Sequence, residues 1–275
     1  PMKLIAVGDN VTDLYVDQHV YYPGGNAVNV AVNCKRNGMD EAAYIGIFGD
    51  DENARHLQAC LDLEHVDHAR SRKAYGETRV PRVNLDAKGD RVFVGGNPAS
   101  VQAILRLCLT PDDLEYISGF DVCHTSCFSK IEPELEKLKT ACDISFDFSE
   151  PRYHREGYLE EVCPYVKFAF FSGARMDRSE VDALFARCHK LGTEVVGVTM
   201  GGKGAVFSRG GQTYAQGIKP VEAVDTMGAG DSFIAGFLTE YLRSDGDMTR
   251  SLDYAAGRAA NTCTIGGAFG YPHGV

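Results

Sequence analysis

Residues 225–233 read Asp225-Thr226-Met227-Gly228-Ala229-Gly230-Asp231-Ser232-Phe233 and lead into an apolar helix predicted at about 231–242. Gly228 and Gly230 allow backbone N–H groups to point into one concavity, and the start of the helix adds its positive end. Such a concavity suits a phosphoryl group whose negative charge grows in a transition state. Asp231 could accept a proton from a hydroxyl that attacks phosphorus. The alternative is an ordinary helix cap after a glycine turn, but the doubled glycine and Asp225 favour a chemical role.

Short apolar runs alternate with longer helical patterns over most of the chain. The runs predict strands at 4–7, 43–48, 121–123, 144–146, 168–171 and 194–198, and the helical patterns lie at 26–36, 51–63, 132–141, 158–164, 179–191, 231–242 and 250–265. This alternation is typical of βαβ units, in which a mostly parallel sheet is covered by helices on both faces. A hairpin is predicted at 205–215.

Two segments break the alternation. Residues 77–85 and 91–94 are β-rich runs joined by the turn Asp86-Ala87-Lys88-Gly89-Asp90, which predicts a second hairpin. Residues 13–22 predict an extended segment near it. We interpret the chain as one α/β domain, 1–275, with a small β lid formed mainly by about 13–23 and 70–98.

Composition excludes several classes of protein. The chain has 28 Lys and Arg against 38 Asp and Glu residues, a formal charge of −10, which is unsuited to the phosphate backbone of nucleic acids. No apolar run approaches the ~20 residues that span a bilayer, so no membrane association is expected. The N-terminal residues do not resemble a secretory signal. The nine cysteines lack the spacing of a disulfide framework, which favours the cytoplasm.

One cysteine cluster has zinc-ligand chemistry, Cys123-His124-Thr125-Ser126-Cys127. Structural zinc requires four closed ligands, and no second Cys/His pair stands at finger spacing. Cysteine is also commonly buried as a small apolar residue. We therefore interpret the cluster as the end of a buried strand rather than as a metal site.

Three motifs together resemble one enzyme family. Residues 225–231 resemble D-T-x-G-A-G-D, the C-terminal signature of the ribokinase-like (PfkB) carbohydrate and nucleoside kinases. Residues 24–31, Gly24-Gly25-Asn26-Ala27-Val28-Asn29-Val30-Ala31, resemble its G-G-x-x-x-N-x-A, and residues 8–13 resemble its opening G-x-x-x-x-D loop. Segments 24–29, 147–149, 226–228 and 233–238 are most similar to the fructoselysine 6-kinase branch. The resemblance implies a three-layer α/β/α domain with a mostly parallel central sheet and a small β-sheet lid.

The resemblance implies a cytoplasmic, ATP-dependent sugar kinase that phosphorylates a primary hydroxyl. The expected acceptor is C6 of a fructosamine such as fructoselysine. A plain sugar, a 2-keto-3-deoxy sugar acid and a nucleoside are the alternative acceptors. A non-catalytic relative that senses sugar or nucleotide is the alternative of a different class, and Asp231 beside Gly228 and Gly230 disfavours it.

The resemblance also assigns roles to site residues. Asp231 is the expected base, and the backbone amides of Gly228, Ala229, Gly230 and Asp231 are expected to hold the phosphoryl group. The expected substrate-binding residues are Asp9, Asp13, Gly24, Gly25, Asn26 and Asn29, with Arg91 from the predicted lid. Loop capping is the alternative role for Asp9 and Asp13, and a solvated strand position is the alternative for Arg91.

The nucleotide is expected beside Thr199-Met200-Gly201-Gly202-Lys203-Gly204, which resembles the family's T-x-G-x-x-G loop and is not a Walker loop. The expected ATP-binding residues are Thr199, Gly201, Gly204, Thr226, Gly257 and Asn261. Mg²⁺ is expected with ATP, although Ser172 and Arg175 replace the family's Asn and Glu. The family also implies K⁺ held by backbone carbonyls near Asp225 and Gly267, and a homodimer formed through the lid.

Overall fold

The computed structural model describes residues 1–275, and its centre is a sheet of eight strands. The strands of the molecule are β1 (Lys3–Val7), β2 (Val11–Tyr15), β3 (Val20–Gly24), β4 (Glu41–Ile45), β5 (Ile47–Phe48), β6 (Arg72–Lys73), β7 (Arg82–Leu85), β8 (Arg91–Gly95), β9 (Val122–Ser126), β10 (Asp143–Ser149), β11 (Phe168–Ser172), β12 (Val195–Thr199), β13 (Ala205–Arg209), β14 (Gln212–Gln216) and β15 (His273–Gly274). The large sheet has the order β14-β13-β12-β11-β10-β9-β1-β4. Neighbouring strands from β12 to β4 in this order are parallel. β13 is antiparallel to both of its neighbours, β12 and β14.

Helices cover both faces of this sheet. They are α1 (Asn26–Arg36), α2 (Glu52–Leu63), α3 (Val101–Ile104), α4 (Pro111–Ile117), α5 (Leu135–Ala141), α6 (Tyr158–Val162), α7 (Arg178–Lys190), α8 (Ala229–Arg243) and α9 (Met248–Thr262). One apolar core includes side chains of α1, α2, α8 and α9, and the other includes side chains of α4 to α7. Along β1, Leu4 and Ala6 enter the first core and Ile5 and Val7 the second, because successive side chains of a strand point to opposite faces. None of the helices is long and apolar enough to cross a bilayer.

A second sheet has five strands in the order β15-β3-β2-β7-β8. The hairpins β2–β3 and β7–β8 are antiparallel, and the parallel pairing of β2 with β7 joins them. Segments 13–23 and 70–98 therefore supply most of this sheet. Two details differ from the prediction, since β6 within 70–98 pairs with β5 in a separate two-stranded sheet, and β15, from the end of the chain, joins the five-stranded sheet.

The predicted strand at 43–48 is broken at Gly46. β4 ends at Ile45, and β5 leaves the large sheet to pair with β6. The buried Tyr44 hydroxyl donates to the Gly8 carbonyl oxygen at 2.6 Å. A Cβ atom at Gly46 would lie 1.8 Å from that hydroxyl, so only glycine lets the chain bend over the tyrosine ring.

Two further elements differ from the sequence prediction. α4 was not predicted, although Thr110 and Asp113 form a capping box around Pro111 at its start. The strand predicted at 121–123 extends to Ser126, so Cys123 and His124 lie inside β9 and are fully buried. No group of three or more His, Cys, Asp or Glu side chains is placed to hold a metal ion.

Candidate active site

The candidate residues meet at the carboxyl ends of the parallel strands. Asp9 follows β1, Asp147 lies near the end of β10, and Asp231 lies in the first turn of α8. α1 begins at Asn26 beside them. Ligands of open α/β sheets bind at this edge because strand ends and helix N-termini converge there.

Asp231 is held by two amides from α1. Asn29 Nδ2 donates to Asp231 Oδ2 at 2.8 Å, and Asn26 Nδ2 donates to Asp231 Oδ1 at 2.8 Å. α1 and α8 pack together, and the Cys34 thiol contacts the Ala235 carbonyl oxygen at 3.8 Å. Each carboxylate oxygen thus has one fixed donor and retains a lone pair that can accept a proton.

The turn before α8 requires glycine at position 228. Gly228 has φ 74°, and a Cβ atom there would lie 2.6 Å from the Cβ of Ala268. The Ala229 amide donates to the Thr226 carbonyl oxygen at 3.2 Å, so it is not among the free donors of this turn. The amides of Gly230 and Asp231 have no backbone acceptor, as is usual in the first turn of a helix.

Asp9 anchors the start of α1. Its Oδ2 accepts a hydrogen bond from the Asn26 amide and its Oδ1 accepts one from the Ala27 amide, both at 3.0 Å. Gly25, directly before the helix, has φ 106°, and a Cβ atom there would lie 2.8 Å from Asn10 Cα. The structure thus shows Asp9 in a capping role, and its contact with a sugar stays a prediction.

Asp13 faces the site without a hydrogen-bond donor from the chain. It lies on β2 and is 5% exposed. A Cβ atom at Gly24 would lie 2.6 Å from Asp13 Oδ2, so the missing side chain of Gly24 makes room for this carboxylate. Arg91 on β8 provides a compensating positive charge, and its Nη1 lies 3.5 Å from the sulfur of Met227, next to Gly228.

Burial raises the pKa of several carboxyl groups here. The pKa of Asp231 rises to about 6, mainly because burial disfavours the charged form, and the hydrogen bond from Asn29 opposes the rise. The pKa values of Asp13 and Asp147 each rise to about 7, again mainly through burial, with additional repulsion from neighbouring carboxylates. Carboxyl groups that titrate near neutral pH are typical of proton-transfer sites.

Asp225 ties the five-stranded sheet to the turn before α8. Its fully buried Oδ2 accepts hydrogen bonds from the Tyr15 hydroxyl at 2.5 Å and from the Gly267 amide at 2.7 Å. Its Oδ1 accepts one from the Met227 amide at 2.9 Å. Because Tyr15 lies on β2 and Met227 precedes Gly228, one carboxylate connects the two parts of the site.

Most expected nucleotide residues lie in two regions. Thr199 ends β12, and Gly201 begins a 3₁₀ turn that leads to Gly204. Gly257 and Asn261 lie on α9, which packs against α8. A Cβ atom at Gly204 would lie 2.1 Å from the carbonyl oxygen of residue 216, so this loop is held against the chain that leaves β14.

Thr226 contacts the β7–β8 turn instead. Its hydroxyl donates to Asp90 Oδ1 at 2.9 Å, and its amide donates to the Gly89 carbonyl oxygen at 3.1 Å. The hairpin of the five-stranded sheet therefore reaches the turn before α8. The roles of Thr226 and the other five residues in ATP binding stay predictions.

Asp147 and His124 belong to the site but were not among its predicted residues. Asp147 Oδ2 accepts a hydrogen bond from Asn26 Nδ2 at 2.9 Å, and His124 Nε2 lies 2.9 Å from Asn26 Oδ1. Their positions in the sequence could have indicated a role in the site, because each residue directly follows a predicted buried strand. In a parallel sheet those ends border the ligand site.

Comparison with known proteins identifies the family of the chain. A family model described as pfkB family carbohydrate kinase matches residues 2–270. The chain is 49% identical over 270 residues to fructosamine kinase FrlD of Bacillus subtilis (strain 168), with coverage of 98% of this chain and 94% of the relative. It is 34% identical over 269 residues to fructoselysine 6-kinase of Escherichia coli (strain K12), with coverage of 96% and 98%.

A solved structure of Arabidopsis thaliana ribokinase complexed with ribose and ATP has the same fold. The TM-score is 0.79 at 20% identity, with coverage of 98% of this chain and 94% of that chain. The ribokinase-like α/β architecture expected from the motifs is thus confirmed.

We expect Asp13→Asn to raise the free energy of unfolding by about 1–4 kcal/mol at pH 8 and to change it little at pH 4. The pKa of Asp13 is raised from 3.8 to about 7 in the folded chain, so stability is lost as the pH rises through that interval. Asparagine does not ionise and removes this loss. Urea denaturation at both pH values measures the effect, with exposed Asp17→Asn as the control. An equal effect at both pH values would contradict the explanation.

We expect Tyr15→Phe to lower the free energy of unfolding by about 1–3 kcal/mol, because it removes a donor from the fully buried Asp225 carboxylate. Chemical denaturation measures this change. Tyr75→Phe is the matched control, since Tyr75 is 96% exposed. A Tyr15→Phe variant as stable as the control would show that the hydrogen bond does not stabilise the fold.

Proposed function

Because this chain belongs to the PfkB family of carbohydrate kinases, we propose that it transfers the γ-phosphoryl group of ATP to the C6 hydroxyl of a fructosamine. The coarser activity, a phosphotransferase that acts on a sugar hydroxyl, follows from the family. The finer assignment rests on the similarity to a fructosamine kinase and a fructoselysine 6-kinase. It also rests on the charge of the site.

The observation that carries the mechanism is the position of Asp231. Its carboxylate is fixed by Asn26 and Asn29 in the first turn of α8, beside amides without backbone acceptors. In the proposed reaction Asp231 accepts the proton of the C6 hydroxyl as that oxygen attacks the γ-phosphorus, and ADP leaves. The pKa of Asp231, raised to about 6, leaves the base ionised at neutral pH and strengthens it relative to an exposed aspartate.

The start of α8 is proposed to hold the transferring phosphoryl group. The free amides of Gly230 and Asp231 and the helix N-terminus stabilise its negative charge. Arg91 lies close enough to Met227 to add a positive charge on the side of the five-stranded sheet. The Ala229 amide would join these donors only after giving up its hydrogen bond to Thr226.

Two unpartnered acceptors are proposed to bind the sugar. Asn29 Oδ1 is buried without a partner, and no group of the chain donates to the carboxyl group of Asp13, which is 5% exposed. Buried acceptors without donors are rare in folded proteins, so hydroxyl groups of a bound sugar would complete both. The missing side chains of Gly24 and Gly25 make room for Asp13 and for the Asn10 backbone, and close approach of the sugar to these glycines stays a prediction.

The charge of the site favours a cationic acceptor over a neutral or anionic one. Asp9, Asp13, Asp147 and Asp231 lie together, and Arg91 is the positive group that acts on both Asp13 and Asp231. The secondary amine of a fructosamine is protonated at neutral pH, so the ionised carboxylates attract it, and its charge would in turn favour ionisation of Asp13 and Asp147. A 2-keto-3-deoxy sugar acid would instead bring a carboxylate into the same field.

ATP is proposed to lie between the loop that ends at Gly204 and the outer face of α9. The chain after β14 exposes Ile218 and Val221, and Lys219 Nζ lies 3.7 Å from the Cβ position of Gly257. Exposed apolar side chains beside a glycine-bearing helix suit a flat base. Asn261 lies one turn further along α9, where its side chain is exposed.

Acidic side chains would contribute little to binding either of the two expected cations. Arg175 cannot coordinate a metal, and no acidic cluster is placed to hold one, so the nucleotide phosphates would be the main ligands of Mg²⁺. Both Asp225 oxygens already accept hydrogen bonds from the chain. Backbone carbonyls would therefore be the ligands of K⁺ there, as expected from the family, and K⁺ binding stays a prediction.

We also propose that the five-stranded sheet acts as a lid and that two copies of the chain pair through it. β8 is an edge strand, and its Val92, Phe93 and Val94 are all about half exposed or more. A second copy would cover this apolar edge. Sedimentation of the purified chain at several concentrations tests the pairing.

We expect Asp231→Asn to lower kcat by about 10²–10⁴, because asparagine keeps the shape of the side chain but cannot accept the proton. ATP affinity should change little. A coupled assay of ADP release measures kcat, and Asp182→Asn, exposed on α7, is the control. Near-wild-type turnover of Asp231→Asn would remove this residue from catalysis.

We also expect kcat/KM of the wild-type protein to fall below about pH 6, where the base becomes protonated.

A matched set of acceptors tests the substrate. We expect a 1-alkylamino-1-deoxyfructose to exceed its neutral 1-O-alkyl analogue by about tenfold or more in kcat/KM, and the 6-deoxy form to give no turnover. Fructose, a 2-keto-3-deoxy sugar acid and a nucleoside complete the set. Preference for one of these would reject the fructosamine and leave the kinase, whereas no ADP release with any acceptor would favour a sensor.

A further inference from the structure

A fully buried histidine stands behind the asparagine that contacts the proposed base. His124 lies on β9, and its Nε2 is 2.9 Å from Asn26 Oδ1. Its Nδ1 is 2.9 Å from the Ser145 hydroxyl on β10. The proposed reaction gives this side chain no part, yet it joins β9 of the sheet to the start of α1.

The orientation of the Asn26 amide follows from its two acidic neighbours. Asn26 Nδ2 lies 2.8 Å from Asp231 Oδ1 and 2.9 Å from Asp147 Oδ2. An amide nitrogen carries two hydrogens, so each carboxyl group receives one. Rotation of the amide by half a turn would place its oxygen against both carboxyl groups, where lone pairs would face one another.

This orientation determines the tautomer of His124. Asn26 Oδ1 only accepts hydrogen bonds, so the hydrogen between the two side chains must lie on His124 Nε2. His124 Nδ1 is then an acceptor, and the Ser145 hydroxyl donates to it. Burial lowers the pKa of His124 to about 3, so the ring stays neutral and carries only this one N–H.

We propose that His124 is a positioning residue for the kinase reaction, whose Nε2–H keeps the Asn26 amide in the orientation that bridges Asp231 and Asp147. The inference rests on the proposed role of Asp231 as the base. Without the Nε2–H, the buried Asn26 Oδ1 would have no donor and only the two carboxyl groups would hold the amide, so Asn26 and the carboxyl groups bonded to it would be placed less precisely. Displacement of a reacting group by about 1 Å lowers a rate by about 10²-fold.

Two substitutions separate the hydrogen-bond donor from the volume of the ring. His124→Leu removes both ring nitrogens, whereas His124→Gln places an N–H group near the position of Nε2. We expect His124→Leu to lower kcat by about 10- to 100-fold with KM for sugar and ATP nearly unchanged, and His124→Gln to recover most of that loss. Equal loss in both variants, or loss confined to KM, would overturn the proposal.

His189→Leu is the matched control for a structural effect. His189 also bonds through both ring nitrogens, to the Thr193 carbonyl oxygen and to the Ser208 hydroxyl, but it lies near the end of α7 and away from the site. We expect this variant to lose stability with kcat unchanged. If it lowers kcat as much as His124→Leu does, general destabilisation explains both results and the proposal fails.

The tautomer is measured in the unsubstituted protein, so this test does not depend on the folding of a variant. Long-range ¹H–¹⁵N correlation spectra of histidine-labelled protein distinguish Nε2–H from Nδ1–H. We expect the His124 ring to be neutral and in the Nε2–H form from pH 5 to pH 8. An Nδ1–H ring would overturn the proposal.

The turnover of Asp231→Asn distinguishes failure of the proposed base, Asp231, from failure of the proposed positioning residue, His124. If Asp231→Asn loses turnover while His124→Leu retains it, the positioning role is wrong and the proposed function stands. If Asp231→Asn retains turnover, the proposed base is wrong and the role of His124 falls with it.

Discussion

The rest of the site depends on how a buried carboxylate is kept in place. Removal of Asp231 from water is unfavourable, and the amides of Asn26 and Asn29 compensate by donating to its two oxygens. Both amides come from the first turn of α1, so the position of that helix determines the position of the base. Asp9 fixes the helix in turn by capping its first two amides.

The acidic residues around Asp231 have different tasks, although their side chains are identical. Asp9 and Asp225 accept hydrogen bonds from the chain on both oxygens and hold elements together, whereas Asp13 is buried and has no donor from the chain. A buried carboxyl group without a donor lowers stability, and the proposed binding of a substrate at Asp13 would explain why this chain keeps one there. The proposed cationic acceptor would reduce the repulsion between Asp13 and the neighbouring carboxylates when it binds.

The sequence predicted the alternation of strands and helices well, because apolar periodicity reports which faces of an element are buried. α1 has the predicted bounds, since the apolar stripe of 26–36 ends where the chain becomes polar. The prediction failed at 43–48, where apolarity is continuous but the chain bends at Gly46 over the ring of Tyr44. The addition of β15 to the five-stranded sheet was also not predictable, because two residues carry no periodic pattern.

The sequence by itself determined the family, the order of most elements and the glycines before α1 and α8, because each motif and each periodic pattern spans residues near one another in the chain. The tertiary structure alone decided which polar groups pair. Asp9 turned out to cap a helix, Tyr15 to reach Asp225, and His124 to contact Asn26, 98 residues away. Such pairs form because a parallel sheet brings distant strand ends to one edge, where buried donors and acceptors must find partners within about 3 Å.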